Sequence, residues 1–426
     1  MTRKLITFLG TGKYEKCEYH LDHLFALPTK YIQEAIVDLY LKMDKPIDEV
    51  HILLTPEAKE KHWLVEEGLS SRLQNYENRG LIIKTHDISS DQNIENIWKL
   101  FDTIVNRMEK DDLIVFDITH SFRFQPMLAL LSLHFARVTK QVKIDGIYYG
   151  LYDPNKEPKV FPIIDLTSFT DMQDWITNVY AFTKTGRVEG LTEWIKEKEQ
   201  TIRREERKTT PDLKNIRKLA ERWQELMAAL QTNRSKDLPE KAREALQSIE
   251  SLKDENIMLR PAFLPINELL TKVENDIRDI AKDDLIFSGL SAIEWCQKHG
   301  LYQQAYTMAE ELVVTTVCIK YNIDYEDKDS RIHVARTITA AIKTKDEKNT
   351  EFINNESVNK EIALHLLKFP KLLEKQKTII DNRNDINHAG WKTERLSSVK
   401  LVKHFDKLYD ELKEQLIKFY ESPLEN

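Results

Sequence analysis

The sequence predicts an N-terminal domain with a parallel α/β sheet, followed by a chain that is helical to its end. Up to about residue 185, short apolar runs rich in Ile, Leu and Val alternate with amphipathic segments. This is the pattern of a parallel sheet buried on both faces. After Gly186 and Gly190 the strand pattern stops, and charged segments with helical periodicity follow. A chain of 426 residues is long enough for two or three domains.

Five apolar runs predict the strands: Leu5–Leu9, Val50–Leu54, Leu81–Ile83, Leu113–Phe116 and Ile144–Tyr149. Four amphipathic stretches predict the helices between them: Tyr31–Met43, Glu57–Tyr76, Ile94–Met108 and Phe124–Val138. Strands and helices at this rhythm form a doubly wound sheet of Rossmann type. Pro162, inside the next apolar run, predicts either an edge strand or the exit from the domain.

The helical part divides by its charge. Residues 186–283 include the most charged stretch of the chain, which Pro211 interrupts, and they predict a helical connector with a partly solvated face. Residues 284–426 are more apolar and predict a second domain, with helices over Leu301–Tyr321 and Ser397–Tyr420. The predicted domains are therefore 1–185, 186–283 and 284–426.

Composition limits the class of protein. A net charge of −7 and a pI near 6.0 argue against a broad nonspecific coat for nucleic acid, although 63 Lys and Arg residues suffice for a local basic cleft. Three widely separated cysteines, Cys17, Cys296 and Cys318, fit a reducing compartment. No apolar run has the length of a membrane span or a signal peptide, so we expect a cytoplasmic protein without a membrane partner.

A glycine motif follows the first predicted strand. Gly10, Thr11, Gly12, Lys13 and Tyr14 stand where glycines let the backbone turn tightly and approach a phosphate. The third glycine of a dinucleotide fingerprint is missing, because Glu15 occupies its position. A plain turn at the strand exit explains the motif equally well.

A polar loop follows the fourth predicted strand. Its sequence DITHSFR places Thr119, His120, Ser121, Phe122 and Arg123 directly before a predicted helix. Ligands of open α/β sheets bind beyond the carboxyl ends of strands, where Arg and a helix N-terminus favour anions. Thr55 and Tyr149, at the ends of two other strands, are expected at the same rim. The alternative is that Asp117 and Ser121 only cap the helix, but capping does not account for so many polar side chains.

A third motif lies near the C-terminus. Arg383 and His388 are separated by four residues, so on a helix they lie little more than one turn apart. A histidine can move protons and an arginine can stabilise a phosphorane, which together suit metal-free RNA cleavage by the 2′-hydroxyl. The alternative is a helix C-terminus, with Gly390 as its cap. Glu310 or Glu311 could hold either side chain in position, or could simply belong to a solvated helix face.

These motifs together resemble a known family. The Arg383-to-His388 element, with Asn384 after the arginine, resembles the signature of HEPN ribonucleases. The opening FLGTGKY and the loop DITHSFR resemble the CARF domains of CRISPR-associated proteins from type III systems. The resemblance covers about 1–185 and 285–426 and is poorest between them. A CARF-like domain followed by a HEPN-like domain is similar to ribonucleases of antiviral defence that cyclic oligoadenylate activates.

The resemblance implies roles for particular residues. Arg383 and His388 become the catalytic pair of an endoribonuclease, supported by Asn384. The implied ligand loops comprise Gly10, Thr11, Gly12, Tyr14, Thr119, His120, Ser121, Phe122 and Arg123. We further expect a homodimer, cyclic tetra-adenylate as the allosteric activator, single-stranded RNA as the substrate, no catalytic metal, and a 2′,3′-cyclic phosphate product.

Two rival functions are considered. The protein could be a CARF-type nucleotide sensor without catalysis, whose helical domain binds a partner. RNA degradation by Arg383→Ala and His388→Ala variants distinguishes this hypothesis from the enzyme hypothesis. A Rossmann-type oxidoreductase is disfavoured by the broken glycine fingerprint and by the missing acidic ribose partner.

Overall fold

A computed structural model describes residues 1–91, 93–120, 123–206, 211–253, 266–391 and 395–424. The chain forms two compact units, Met1–Asp171 and Met172–Asn426. The first unit contains a sheet covered by helices. Beyond Asp165, the described ranges contain helices and connecting segments but no strand. The predicted change from an α/β domain to helices is therefore confirmed.

The sheet of the first unit has eight strands in the order β3-β2-β8-β7-β6-β1-β4-β5. Their bounds are β1 Arg3–Leu9, β2 Glu18–Leu21, β3 Leu24–Phe25, β4 Glu49–Leu54, β5 Ile82–Asp87, β6 Leu113–Asp117, β7 Lys143–Gly150 and β8 Val160–Asp165. Strands β7, β6, β1, β4 and β5 run parallel, whereas β8 is antiparallel to β7 and β3 is antiparallel to β2.

The expectation of a purely parallel sheet was wrong at one side. Strand β8 follows β7 without an intervening helix, and such a short connection joins antiparallel strands. The edge-strand alternative for Pro162 was also wrong, because β8 lies between β7 and β2 and Pro162 faces His20 in register. The other alternative holds, since β8 is the last strand before the chain becomes helical.

Alternating side chains of the central strands enter two separate cores. On β1, Leu5 and Leu9 belong to one hydrophobic cluster, whereas Ile6 and Phe8 belong to the other. Helices α1 (Ile32–Lys42) and α3 (Leu69–Glu77) contribute to the first cluster. Helices α4 (Ile94–Asn106) and α5 (Gln125–Lys140) contribute to the second. Both faces are covered, which explains why these strands read as continuous apolar runs.

The predicted helix Glu57–Tyr76 is interrupted. A short helix α2 (Pro56–Ala58) continues into a π-helix at Lys59–Trp63, and α3 starts only at Leu69. Glu67 adopts a left-handed backbone conformation with φ of +55°, which ends the helical path before Gly68. The interruption matters for the site, because the π-helix carries His62.

The second unit consists of helices around one hydrophobic core. Their bounds are α6 Ser168–Thr185, α7 Glu189–Glu206, α8 Pro211–Gln231, α9 Leu238–Lys253, α10 Ile266–Ile277, α11 Leu285–Lys298, α12 Tyr302–Lys320, α13 Lys328–Glu347, α14 Lys360–Leu367, α15 Pro370–Asn387 and α16 Ser398–Glu421. The core includes Trp175 on α6, Trp223 on α8, Tyr306 on α12 and Phe419 on α16.

The boundary between the units falls within α6. Trp175, Val179 and Phe182 of this helix are buried in the helical core, so most of α6 belongs to the second unit. Helices from residues 186–283 share that core with helices from residues 284–426. The role of 186–283 as a connector between two functional domains stays a prediction.

Candidate functional sites

The glycine motif and the polar loop meet at one cavity of the first unit. Strand β1 lies between β4 and β6, and the chain reverses its direction of travel across the sheet at the β1–β6 pair. This pair is the switch point at which open α/β sheets bind ligands. A cavity of about 250 Å³ opens there. Its lining comprises Phe8, Leu9, Gly10, Thr11, Gly12, Tyr14, Thr55, Ile88, His120 and Gln125.

Three aromatic rings are stacked at this cavity. The ring centroid of Tyr14 lies 4.2 Å from that of His62 and 4.4 Å from that of His120, with interplanar angles of 34° and 35°. The His62 Nε2–H donates to the Gly12 carbonyl oxygen at 2.8 Å and so fixes the glycine loop to the π-helix. Gly10 passes close beneath the stack, because a Cβ added there would lie 2.9 Å from Tyr14 Oη and 3.2 Å from His120 Cβ.

The stack is uncharged at neutral pH. Burial, together with the nearby His62, lowers the pKa of His120 to about 4. Burial also lowers the pKa of His62 and raises the pKa of Tyr14. The Nε2 atom of His120 is buried without a hydrogen-bond partner in the described part of the chain. A buried polar atom of this kind normally finds a partner, so a ligand that offers a hydrogen bond would satisfy it.

Two residues of the polar loop stabilise the sheet instead of lining the cavity. The fully buried Asp117 accepts hydrogen bonds from Thr7 Oγ1 at 2.6 Å and from Thr119 N and Oγ1 at 2.9 and 2.5 Å. The Gly150 N–H in turn donates to Thr119 Oγ1 at 2.8 Å. Thr119 therefore ties the end of β6 to the end of β7. Burial raises the pKa of Asp117.

The remaining predicted ligand residues have different positions. Thr55 lines the cavity and also caps α2, since its Oγ1 accepts from the Ala58 N–H at 3.3 Å. Arg123 is exposed, and Tyr149 is exposed and absent from the cavity wall. Ser121 and Phe122 lie outside the described residues.

Besides Phe8 and Leu9 at the end of β1, the sequence analysis missed three residues of the cavity region. Gln125 and Ile88 line its wall and His62 stacks against Tyr14. Gln125 could have been found, because it lies only two residues after the end of the polar loop. Ile88 and His62 carry no such signal, because only the fold brings their segments to the glycine motif.

A second constellation lies on helix α15. The Arg383 guanidinium makes a two-point contact with the Glu310 carboxylate of α12: Nε donates to Oε2 at 2.5 Å and Nη2 donates to Oε1. Both side chains are partly buried, and Glu310 raises the pKa of Arg383 further above its usual range. Such a paired fork fixes the orientation of a guanidinium. Of the two acidic residues considered, Glu310 holds Arg383, whereas Glu311 pairs with Arg331 at 2.5 Å.

His388 stands in solvent where α15 ends. Its backbone N–H donates to the Asn384 carbonyl oxygen at 3.0 Å, and Ala389 and Gly390 follow with φ of +53° and +69°. The Gly390 N–H donates to the Asp385 carbonyl oxygen at 3.0 Å, which closes the helix. The chain therefore ends a helix here, as the alternative interpretation expected, but the left-handed residue directly after the C-cap His388 is Ala389 and Gly390 follows it. Asn384 is half-buried on the last turn.

The first turn of α16 is tied to this end of α15 through a tyrosine. The Asn382 Nδ2 donates to Tyr306 Oη at 3.3 Å, and Tyr306 Oη donates to the Leu401 carbonyl oxygen at 3.0 Å. Asn382 and Tyr306 are buried. These hydrogen bonds therefore hold the first turn of α16 against the last two turns of α15.

A larger cavity of about 550 Å³ lies elsewhere in the second unit. Two of its cationic side chains are already paired, Lys236 with Glu326 at 2.7 Å and Arg331 with Glu311. We assign no ligand to it for this reason. Within the described ranges, no group of three or more His, Cys, Asp or Glu is arranged to hold a metal ion. Nor is any of the helices there long and apolar enough to cross a membrane.

Comparison with protein families first gives the class of each region. Residues 4–154 match the model described as the CARF domain of the CRISPR system endoribonuclease Csx1. Residues 171–283 match the second domain of CRISPR-associated protein MJ1674. The first unit is thus similar to CARF domains, and every residue lining its cavity lies within the match. Neither match reaches Arg383 or His388.

Individual relatives follow. The curated CRISPR-associated protein MJ1674 of Methanocaldococcus jannaschii is 25% identical over 232 residues, which are 54% of this chain and 33% of that protein. The alignment thus covers about a third of the relative's length. Among solved structures, Enterococcus italicus Csm6 bound to cyclic hexa-2′-fluoro-hexa-dAMP aligns with 14% identity and a TM-score of 0.35, covering 98% of this chain and 94% of that one. A likeness at this level carries no argument about function.

Proposed function

We propose that the protein is an endoribonuclease of type III CRISPR antiviral defence, activated by cyclic oligoadenylate and independent of a metal ion. The observation that carries the proposal is the match of residues 4–154 to the CARF domain of a CRISPR endoribonuclease, within which the cavity lies. The Arg383 and His388 constellation of the helical unit supports the same function.

The first cavity suits an adenine ring. Stacked, uncharged rings and a free Nε2 on His120 offer apolar contact and one hydrogen bond to a neutral base edge. About 250 Å³ is below the usual volume of a site for a drug-sized ligand, about 300–1,000 Å³. A ring of several nucleotides would therefore extend beyond one cavity. The twofold repetition of the site in a homodimer would match a cyclic tetra-adenylate.

An apolar surface beside the cavity supports the homodimer. Met127, Leu131, Phe135 and Val138 are exposed at spacings that place them on one face of α5. Trp98 of α4 is also exposed, and it contacts Phe101, which packs against Phe135. Exposed patches of this kind mark interaction sites. Because α5 begins at Gln125 in the cavity wall, a second copy packed on this face would bring two cavities together.

The second site supplies the groups for RNA cleavage. His388 would remove the proton of the 2′-hydroxyl as that oxygen bonds to phosphorus, and the 5′-oxygen would leave with a proton from a second acid. Arg383, held by Glu310, would stabilise the phosphorane charge, with Asn384 in support. The products would be a 2′,3′-cyclic phosphate and a 5′-hydroxyl. Five positions place the two side chains about 140° apart around a helix, which favours a cleft built from two chains.

The alternative is a nucleotide sensor without catalysis whose helical unit binds a partner. The observation that favours it is that the family matches end at residue 283, before the candidate catalytic residues.

The test of the proposal is an RNA cleavage assay with purified protein. Labelled single-stranded RNA is incubated with EDTA, with and without cyclic tetra-adenylate or cyclic hexa-adenylate. We expect activator-dependent cleavage in EDTA and products that end in a 2′,3′-cyclic phosphate. Cleavage that EDTA abolishes and Mg²⁺ restores contradicts metal independence. Activator binding without any cleavage supports the alternative.

A further inference from the structure

The indole of Trp391 is 91% exposed, three residues after His388. Large aromatic side chains are rarely so exposed without a partner, because covering an indole removes much apolar surface from water. Its position is defined by the turn, since the Trp391 N–H donates to the His388 carbonyl oxygen at 3.1 Å. The most exposed aromatic side chain of the region therefore projects from the same backbone turn that carries the candidate catalytic histidine.

Cationic side chains accompany this ring. Arg395 is exposed, and its Nη1 donates to the Gly390 carbonyl oxygen at 2.8 Å, so its guanidinium lies over the same turn. Lys400 and Lys403 are exposed on the first turns of α16. The Asn382–Tyr306–Leu401 hydrogen bonds hold those turns beside the end of α15. Neither lysine forms an ion pair with a carboxylate of the described ranges.

We propose that Trp391 stacks on a base of single-stranded RNA while Arg395, Lys400 and Lys403 contact its phosphates. The inference rests on the proposed ribonuclease function and extends it, because it assigns a substrate-binding surface next to the cleavage site. Proteins that bind single-stranded nucleic acid combine aromatic stacking platforms with a cationic path for the backbone. Stacking would place the adjoining phosphodiester near His388 without reading the sequence of the RNA.

The charges favour RNA over a second copy of the chain. Exposed Val399 and Val402 add apolar surface near the same turn, as a protein interface would. A twofold interface centred on Trp391 would, however, bring the arginine and both lysines of one copy against those of the other. Such juxtaposed like charges oppose association, whereas RNA phosphates complement them.

The experiment measures RNA affinity in the full-length His388→Ala chain, which cannot turn the RNA over. Fluorescence anisotropy with labelled single-stranded RNA compares Trp391→Ala, Trp391→Leu and Trp391→Phe. We expect the first two to weaken binding about 5- to 100-fold, and phenylalanine to retain most of the affinity because it still stacks. Leucine keeps apolar bulk but offers no ring, so it separates stacking from general hydrophobicity.

Two charge-reversal variants of α16 test the contribution of the lysines. Lys403→Glu should weaken binding and flatten its dependence on salt. Lys407→Glu is the control, since Lys407 lies one turn further along α16 and is 84% exposed, and its charge is already partly offset by Glu411 at 4.0 Å. This substitution should leave RNA affinity nearly unchanged. Sedimentation velocity follows the oligomeric state of every variant.

The outcomes are distinguishable. Full RNA affinity in Trp391→Ala overturns the inference but leaves the proposed function intact. Dissociation of the Trp391→Ala oligomer with unchanged RNA affinity also overturns it, and assigns the ring to a second copy. If neither the His388→Ala chain nor the wild-type chain without activator binds RNA, the proposed function fails and this inference fails with it.

Discussion

Each of the two candidate sites contains a histidine, and the two histidines differ in burial and in surroundings. His120 is packed against Tyr14, its Nε2 is buried without a hydrogen-bond partner in the described part of the chain, and burial with the nearby His62 keeps its pKa near 4. His388 stands exposed at a helix end, with Trp391 beside it and Arg383 earlier on the same helix. The same side chain thus serves an uncharged cavity in one unit and an open, cationic surface in the other.

This difference in charge and burial suits the first site to ligand binding and the second site to catalysis. A neutral, preformed cavity loses little entropy when it binds a flat ring, but it has no charge with which to stabilise a transition state. The second site has the charge, and Glu310 fixes its direction, but it lies open to water. We therefore propose ligand sensing for the first site and RNA cleavage for the second.

Removal of either group of the second site should have the largest effect. Arg383→Ala and His388→Ala should each lower activator-dependent RNA cleavage about 100-fold or more, as loss of a charge-stabilising or proton-transferring group does. Affinity for cyclic tetra-adenylate should be unchanged, because the cavity lies in the other unit. Initial cleavage rates and calorimetric titration measure the two quantities. Equal cleavage by both variants and wild type would remove the catalytic assignment.

Loss of the carboxylate that holds Arg383 should have a smaller effect. Glu310→Gln keeps the shape of the side chain but loses its charge, and we expect about a tenfold loss in kcat with little change in KM. Glu311→Gln is the matched control, since the neighbouring Glu311 pairs with Arg331 instead. Equal losses in the two variants would indicate a general weakening of α12, and would argue against a positioning role for Glu310.

The glycine motif offers a matched pair in the first site. A Cβ at Gly10 would meet Tyr14 Oη at 2.9 Å, whereas one at Gly12 would meet its nearest neighbour at an ordinary 3.7 Å. Gly10→Ala should therefore displace the ring stack and raise the activator concentration needed for half-maximal cleavage about tenfold. Gly12→Ala should change it little. A larger effect at Gly12 would show that the stack does not define the binding site.

The smallest effect concerns stability in acid. The pKa of His120 is about 4 in the folded chain and near 6.5 when unfolded, so between these values the unfolded chain binds the additional proton. Stability is therefore lost as the pH falls from about 6.5 to about 4, by about 3 kcal/mol from this residue. Urea unfolding at about pH 7 and about pH 4.5 should show a smaller acid-induced loss in His120→Gln than in wild type. An equal acid-induced loss of stability in the two proteins would indicate that the His120 ring is exposed to water.

Apolar patterning predicted the central sheet but not its margin. Strands β1, β4 and β6 are buried on both faces and read as apolar runs. Strands β2 and β3 escaped detection, because they are short and partly exposed. Strand β5 runs four residues further than its apolar run, since its exposed, polar end is held by pairing with β4.

The candidate sites show the same limit. Local motifs pointed to Gly10, His120 and Arg383 because each lies in a compact polar cluster. His62 reaches the cavity only because the π-helix follows β4, the strand beside β1. Thr119 looked like a ligand group because sequence gives no sign that its hydroxyl is already engaged by Asp117 and Gly150. Contacts between distant segments were the part that could not be predicted.

The most direct test of the account is one titration on two proteins. RNA cleavage is measured against increasing cyclic tetra-adenylate for wild type and for Arg123→Glu, the exposed cation of the polar loop after β6. Arg123 lies two residues before the cavity-lining Gln125, where the phosphates of a ring that extends beyond the cavity would meet its charge. If the first unit senses the ligand and the second cleaves RNA, both proteins should share the same basal rate. Only wild type should be stimulated, because the reversed charge repels the phosphates and a ligand that does not bind cannot shift the states of the protein. Stimulation of Arg123→Glu at the same activator concentrations would show that the activator binds elsewhere, and would contradict the assignment of ligand sensing to this rim of the first unit.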